Sequence, residues 1–257
     1  MSMKMNHRES KIIEYVNEHG SATVTELSNY TKVSEITIRR DLERLESRKA
    51  VIRYHGGAQK NTSLEGKDPI MEFKAKEAKM CDEKKRIGKK AAELIKDGDI
   101  VFMNSGTTVL TFLECLEKKN VTVATNNTAA LDCQLSSGID ILMLGGNYSC
   151  RTRSVEGDFT CNQIMGIYST CTVLGVNALD LENGMTTSVY QQSMINKSMI
   201  NHTKGKVILL ADSTKMGRIS NFVSASLSSI QIIVTDDKCP PAYVEGFREK
   251  GIEVFIV

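Results

Sequence analysis

Five short polar runs interrupt the hydrophobic stretches that follow residue 98, and each sets small, hydroxylic or amide residues directly after an apolar run. Asn104-Ser105-Gly106-Thr107-Thr108 follows Ile100 to Met103, and Asn126-Asn127 follows Val121 to Thr125. Gly145-Gly146 follows Ile139 to Leu144, Gly175-Val176-Asn177 closes the run from Thr172, and Asp212-Ser213-Thr214-Lys215 follows Val207 to Ala211. Glycine gives a ligand close access to backbone N–H groups, serine and threonine supply hydroxyls, and the N-terminus of a following helix is electropositive. Together with Lys215 these are the means of holding a phosphate-sized anion. The candidate anion-binding set is Ser105, Gly106, Thr107, Thr108, Asn126, Asn127, Gly145, Gly146, Asn177, Asp212 and Lys215. Any one of these runs is equally what an ordinary strand-to-helix turn requires, with Asn and Asp capping the next helix. Their recurrence at several strand ends is what predicts one shared pocket.

A second set lies near the N-terminus. Ile38, Leu42 and Leu45 recur at i, i+4 and i+7 and form one buried stripe on a helix running from Ser34, its cap, to about Arg48. The opposite face carries Ile36, Thr37, Arg40, Glu43, Arg44 and Ser47, a surface suited to a DNA major groove. Val51-Ile52-Arg53-Tyr54 followed by His55-Gly56-Gly57-Ala58 reads as a strand and a tight glycine turn, a wing on which Arg53 and His55 face phosphates or the adjacent minor groove. An isolated basic amphipathic helix is more simply a solvated one. Three short helices, a three-residue connection and a glycine turn within sixty residues favour DNA. Ile36, large and apolar on the outer face, suits a thymine methyl.

The elements that must position these residues follow from periodicity. In the head, Ile12, Ile13 and Val16 face inward from a first helix, and Thr23-Val24-Thr25-Glu26 has capping-box spacing for a second that buries Leu27. Residues 61–80 read as a linker, with a helical tendency from 70 onward, so the expected division is 1–60, 61–80 and 81–257. Beyond the linker a helix over Asp82 to Ile95 precedes seven apolar strands: Ile100–Met103, Val121–Thr125, Ile139–Leu144, Thr172–Val176, Val207–Ala211, Ile230–Thr235 and Val254–Val257. Helices over Thr108–Lys118, Ala129–Ser136 and Gln191–His202 separate many of them. Continuous apolar strands between helices predict a Rossmann-like, mostly parallel sheet covered on both faces, with ligands beyond the carboxyl ends of its strands. The fold class is α/β with an N-terminal winged helix-turn-helix.

Composition narrows the classes. With 41% hydrophobic and 25% charged residues over 257 positions, the chain has the make-up of a globular protein with room for two domains. No apolar run approaches a membrane span, and Asn6 to Glu9 interrupt any signal-peptide core, so a cytoplasmic protein is expected. The seven cysteines are odd in number and include no C-x-x-C, which argues for free thiols rather than disulfides or zinc. Residues 1–60 hold eleven Lys or Arg against eight Asp or Glu, a charge of +3 that leaves −1 for the rest. A mildly basic head is compatible with nucleic acid and proves nothing alone.

Val33-Ser34-Glu35-Ile36-Thr37-Ile38-Arg39-Arg40-Asp41-Leu42, with Arg53-Tyr54-His55-Gly56-Gly57-Ala58 downstream, resembles the N-terminal signature of the DeoR family of bacterial sugar-metabolism regulators. The likeness continues through Gly106-Thr107-Thr108, Thr125-Asn126-Asn127, Gly145-Gly146, Ser154 to Gly157, Gly184-Met185-Thr186 and Asp212 to Gly217. It implies that Ser34, Thr37, Arg39, Arg40 and Arg44 read an operator, with Arg53 and His55 on the wing. It also implies a sensor domain similar to sugar-phosphate isomerase folds. The expected function is a sequence-specific DNA-binding regulator, by family habit a repressor, of a carbohydrate-utilisation operon, with operator affinity set by a phosphorylated sugar or related metabolite. Two departures stand out: Asn104 where the family commonly has Asp, and Gly175-Val176-Asn177-Ala178-Leu179-Asp180 where it has G-x-D-G-I-D. A sugar-phosphate isomerase with an attached DNA-binding head is the rival reading. Sugar isomerisation needs a base tuned toward neutrality; both departures replace a carboxylate by an amide, leaving Asp180, Asp212 and Lys215 as titrating groups. A winged helix used for protein contacts is a third class, which steep salt dependence of DNA binding would exclude. The expectation is no catalysis, no metal, no cofactor, and a symmetric homo-oligomer placing two heads on repeated half-sites.

Overall fold

The computed structural model describes residues 7–19, 21–47, 50–54, 56–60 and 81–257. The chain divides into two units, Met1–Asp68 and Pro69–Val257. His55 and residues 61–80, the expected linker, lie outside the described residues.

In the first unit the apolar positions form three helices, α1 (His7–His19), α2 (Val24–Thr31) and α3 (Glu35–Ser47). The capping box at the start of α2 is complete: Thr23 Oγ1 accepts from Glu26 N at 3.2 Å, and Glu26 Oε2 accepts from Thr23 N at 2.7 Å. Lys32, at φ 57°, ends that helix in the left-handed conformation and turns the chain into α3. Ile38, Leu42 and Leu45 pack with Ile12, Val16 and Leu27 in one core. A three-stranded sheet completes the unit, with β1 (Ser21–Thr23), β2 (Val51–Tyr54) and β3 (Gly57–Lys60) in the order β1-β3-β2, all antiparallel. Gly56, at φ 102°, occupies a conformation open to glycine at the turn of the β2-β3 hairpin.

In the second unit, helix Cys81–Glu93 leads into strands β4 (Ile100–Met103), β5 (Val121–Thr125), β6 (Ile139–Met143), β9 (Ser169–Gly175), β12 (Thr203–Leu210), β14 (Ile232–Thr235) and β15 (Glu253–Ile256). These seven form one sheet in the order β15-β14-β12-β9-β4-β5-β6, every pair parallel. Alternation within each strand feeds two cores: Val101, Met103, Val173 and Ile208 on one face, Phe102, Leu174 and Leu209 on the other. In the central strands both faces are buried, which is why they read as apolar runs, while the edge strands β6 and β15 alternate buried and exposed positions.

Several features differ from the periodicity reading. The segment expected as a helix over Ala129–Ser136 is a short 3-10 helix, Thr128–Asp132, ended by Cys133 in extended conformation. Helices Asp158–Met165 and Pro241–Glu249 were not expected. Nor were the hairpin of β7 (Asn147–Ser149) and β8 (Ser154–Glu156) or the small sheet of β10 (Ala178–Asp180), β11 (Gly184–Thr187) and β13 (Phe222–Ala225). All seven cysteines are free thiols, and burial pushes that of Cys171 up to about 12. Among the described residues no helix is long and apolar enough to cross a membrane.

One charged group sits inside the head. Asp41 is 1% exposed on α3, and its carboxylate accepts from Arg8 Nε at 2.6 Å and Arg8 Nη2 at 3.2 Å. This joins α1 to α3. Asp41→Ala should cost about 2 kcal/mol, the scale of a charge-assisted hydrogen bond lost from a buried site. Urea unfolding of the first unit reads this as a lower midpoint, and an unchanged midpoint would mean the pair contributes nothing to stability.

Candidate functional site

The exposed face of α3 carries Ile36, Arg39, Arg40 and Arg44, with Ile36 69% exposed. Ser34, just before the helix, meets Thr37 through their hydroxyls at 3.0 Å, so both lie at its N-terminal end. Arg39 pairs with Glu35 at 3.5 Å, and Arg44 lies 3.8 Å from buried Asp41. Arg40 is exposed and makes no ion pair among the described residues. Arg53 is held differently: its guanidinium is 3.4 Å from Glu43 and 3.7 Å from Glu46, which ties the wing strand to α3.

In the second unit a cavity of about 220 Å³ opens where the sheet's central strands end. Ser105, Gly106, Thr107 and Thr108 line it from the loop after β4 and the start of helix Thr107–Glu114. Gly106, at the N-cap, has no side chain to occupy the first-turn N–H groups. Asn177, Asp212 and Lys215 line it from the ends of β9 and β12. Lys215 Nζ stands 3.7 Å from Asp212, whose carboxylate also caps the 3-10 helix Ser213–Lys215 by accepting from Thr214 N at 3.1 Å. Two more cations face the cavity, Lys84, 5% exposed near the start of helix Cys81–Glu93, and Arg151, exposed between β7 and β8. Against Lys84, Arg151 and Lys215, Asp212 is the one carboxylate lining the cavity among the described residues. The field inside favours an anion.

Seven of the eleven expected contacts thus share one cavity. Asn126 lines a smaller recess that has Ser105, Asn177 and Gln192 in common with it. Asn127 stands behind the loop: its Nδ2 donates to Gly106 O at 3.1 Å, and its Oδ1 accepts from Ala129 N at 3.2 Å. Gly145 and Gly146 belong to packing. Gly145 N donates to Gln163 Oε1 at 2.9 Å and Gly145 O accepts from Thr160 Oγ1 at 2.8 Å, while a Cβ on Gly146 would lie 2.1 Å from Thr160 Oγ1. Sequence reasoning missed Arg151, Ser188 and Gln192, which come from segments with no strand-end signal. Asp180 does not line the cavity, and its carboxylate accepts from Asn183 N, Asn183 Nδ2 and Glu182 N. These bonds, led by those from Asn183, pull its pKa below the ordinary value, the wrong direction for a base working near neutrality. Among the described residues no cluster of His, Cys, Asp and Glu is arranged to hold a metal.

Residues 8–64 match the DeoR-like helix-turn-helix domain, and residues 79–237 match the DeoR C terminal sensor domain. The chain belongs to the DeoR family. It is a DNA-binding transcriptional regulator of that family, similar over nearly its whole length to others. It is 33% identical to the uncharacterized HTH-type transcriptional regulator YulB of Bacillus subtilis, over 99% of this chain and 98% of that one. It is 31% identical to a putative aga operon transcriptional repressor of Escherichia coli O157:H7, over 98% and 94% of the two chains. With the HTH-type transcriptional repressor GlcR of Bacillus subtilis the identity is 30%, over 99% and 97%. Among solved structures, ribose 5 phosphate isomerase A of Neisseria gonorrhoeae is 18% identical with a TM-score of 0.35, covering 52% of this chain and 53% of that one. The Pyrococcus horikoshii translation initiation factor eIF-2B is 14% identical with a TM-score of 0.40, over 83% and 68%. At that level of superposition neither likeness carries an argument about chemistry.

Asn104, where the DeoR pattern commonly has Asp, has a structural use that a carboxylate cannot fill. Buried to 4% exposure, its Oδ1 accepts from Gly175 N at 2.8 Å while its Nδ2 donates to Gly175 O at 3.0 Å and to Asn196 Oδ1 at 2.9 Å. An ionised carboxylate accepts and does not donate. The amide therefore clamps the end of β4 to the end of β9 with both polar ends satisfied. Asn104→Leu should destabilise the sensor unit by about 1–3 kcal/mol, because both Gly175 groups lose a partner. Calorimetric unfolding checks this, and a wild-type transition would remove the clamp from the account.

Proposed function

We propose that the chain represses a carbohydrate-utilisation operon and that a phosphorylated sugar or related metabolite, bound in the 220 Å³ cavity, sets its affinity for the operator. The observation that carries the effector reading is the set of three cations, Lys84, Arg151 and Lys215, around the Ser105–Thr108 loop and the helix start, with Asp212 as the opposing carboxylate. Names of relatives lend support: besides the aga operon and GlcR repressors, a lactose phosphotransferase system repressor of Streptococcus mutans is 30% identical over 91% of this chain. Ser105, Gly106, Thr107, Thr108 and Lys215 would take the phosphate, while Asn126, Asn127, Gly145 and Gly146 would support the surrounding loops. The enzyme reading has less behind it, since Asp180 is outside the cavity and the family is one of transcription regulators.

On DNA, Arg40 would reach a base edge from the centre of the exposed face of α3, flanked by Ser34, Ile36, Thr37, Arg39 and Arg44. Arg53, already paired with Glu43 and Glu46, would act more by holding the wing against α3 than by contacting phosphate. Head and sensor would be domains of about 1–60 and 81–257 joined by 61–80, acting in a symmetric homo-oligomer whose head arrangement the effector biases. The place of action would be the cytoplasm.

Two measurements test this. Thermal unfolding of the pure protein against matched sugars and sugar phosphates should show a shift from a phosphorylated ester and not from its free sugar. At 100 times the dissociation constant the ligand adds about 2.7 kcal/mol, roughly 5 °C or more for a unit of this size. No shift from any phosphate ester would defeat the effector reading and leave DNA binding standing. On the operator, Arg40→Ala should weaken binding by about 1–3 kcal/mol and relax specificity at a single base pair. Unchanged operator affinity would remove Arg40 from the reading surface.

A further inference from the structure

Two runs of the sequence hold no charged residue, Gly184 to Asn196 and Ile219 to Ile230, in a chain of which 25% is charged. The fold sets them side by side. β11 pairs with β13, with Thr186 opposite Val223 and Thr187 opposite Phe222. Helix Tyr190–Asn201 lies against β13, and Asn196 Nδ2 donates to Ser224 Oγ at 3.3 Å. That helix buries Ile195 and Met199 in the core that holds Phe102 and Leu174, while Tyr190 and Met194, one turn apart, face outward. The Tyr190 ring meets that of Phe222 edge-on, with 5.5 Å between centroids. Tyr190 is 54% exposed and Val223 53%, and Met194, Ile219 and Phe222 are exposed as well. An apolar patch of aromatic, Met and β-branched residues, with polar neighbours and no charge at its centre, has the composition of a protein interface rather than of a solvated surface. With no Lys or Arg in either run it has no means of neutralising phosphate, so nucleic acid is a poor occupant.

We propose that two copies of the chain meet through this face across a two-fold axis, with the outer edge of β13 beside its own counterpart. The proposal rests on the homo-oligomer reading given above and assigns the surface that serves it. Three observations favour a second copy over a different protein. Across a two-fold axis a face meets itself, so a charge near the axis opposes its own like; the charge-free runs remove that repulsion, whereas a different partner gains from charges placed for complementarity. The second is the strand edge. β13 is an outer strand of the antiparallel order β10-β11-β13, and its four residues include no Lys, Pro or other device that keeps an edge from pairing. Antiparallel pairing with its counterpart continues that sheet. The third is the position of the helix start, where Ser188, Val189 and Gln192 line the effector cavity while Tyr190 and Met194 face outward. A contact made there lies within reach of whatever fills the cavity, as an oligomer biased by its effector requires.

Sedimentation velocity of the full-length protein over a concentration series tests this. Wild type should self-associate. Val223→Lys sets two ammonium groups against each other across the axis, and Tyr190→Lys removes an exposed ring from the patch. Each should raise the dissociation constant of that association at least about tenfold. Leu131→Lys should leave it unchanged, since this exposed residue sits on the 3-10 helix Thr128–Asp132, whose Ala129 and Ala130 pack in the core on the sheet's other face. If the lysine variants do not fold, Val223→Cys takes their place. A short bis-maleimide should then give covalent dimer beyond the background set by the exposed native thiols of Cys81 and Cys150. Lysine variants that associate as wild type does, or Val223→Cys protein with no dimer beyond that background, overturn this interface and leave the homo-oligomer reading standing. An equal loss of association in Leu131→Lys overturns it too, because the effect then belongs to no particular face. A wild type that stays monomeric throughout overturns the oligomer reading and this interface together, and leaves the face to a different protein.

Discussion

The central strands of the seven-stranded parallel sheet are buried on both faces toward their carboxyl ends, and all seven strands run in the same direction. Polar groups that leave the sheet therefore gather where the strands end, and the central strands β4, β9 and β12 end side by side. The rest of the sensor unit depends on this constraint. It brings Ser105, Asn177 and Asp212 to one cavity although they are far apart in the chain, with Asn104 joining β4 to Gly175 as a fixed floor.

What the cavity can hold follows from its charges more than its size. Three cations around a glycine-opened helix start create a potential that an anion relieves, and Asp212 is partly spent on Thr214 and Lys215. The amide-lined recess beside it has no charge among its described lining residues.

The head is organised around α3, which must bury one face and leave the other bare. Ile38, Leu42 and Leu45 secure the buried face, and Asp41 adds a directional bond to Arg8 that fixes how α1 meets it. On the outer side, acidic residues hold some arginines in place: Glu35 engages Arg39, and Glu43 with Glu46 engages Arg53. Ile36 and Arg40 are exposed, and among the described residues Arg40 makes no ion pair, a difference from Arg39 and Arg53 that residue type alone does not reveal.

The sequence by itself determined the elements that rest on periodicity and local chemistry. Each of the seven sheet strands overlapped an expected apolar run, although β9 and β12 begin three and four residues earlier, the stripe of α3 matched Ile38, Leu42 and Leu45, and the capping box at Thr23 and Glu26 formed as spaced. These signals are short-range, so the chain states them locally. It did not state the three-residue strand β1, which exists by pairing with β3, or the β7-β8 hairpin that carries Arg151 to the cavity. The apolar residues of 129–136 read as a helix, yet the segment is a short 3-10 turn capped by Asn127 Oδ1, whose Nδ2 donates to Gly106 O across the fold, and it ends at extended Cys133. Gly145 and Gly146 look like ligand-loop glycines and are packing glycines, a distinction made by Thr160 and Gln163 across the fold. A glycine, an asparagine or an arginine has several physical uses, and the neighbours brought by the tertiary structure decide which one it serves.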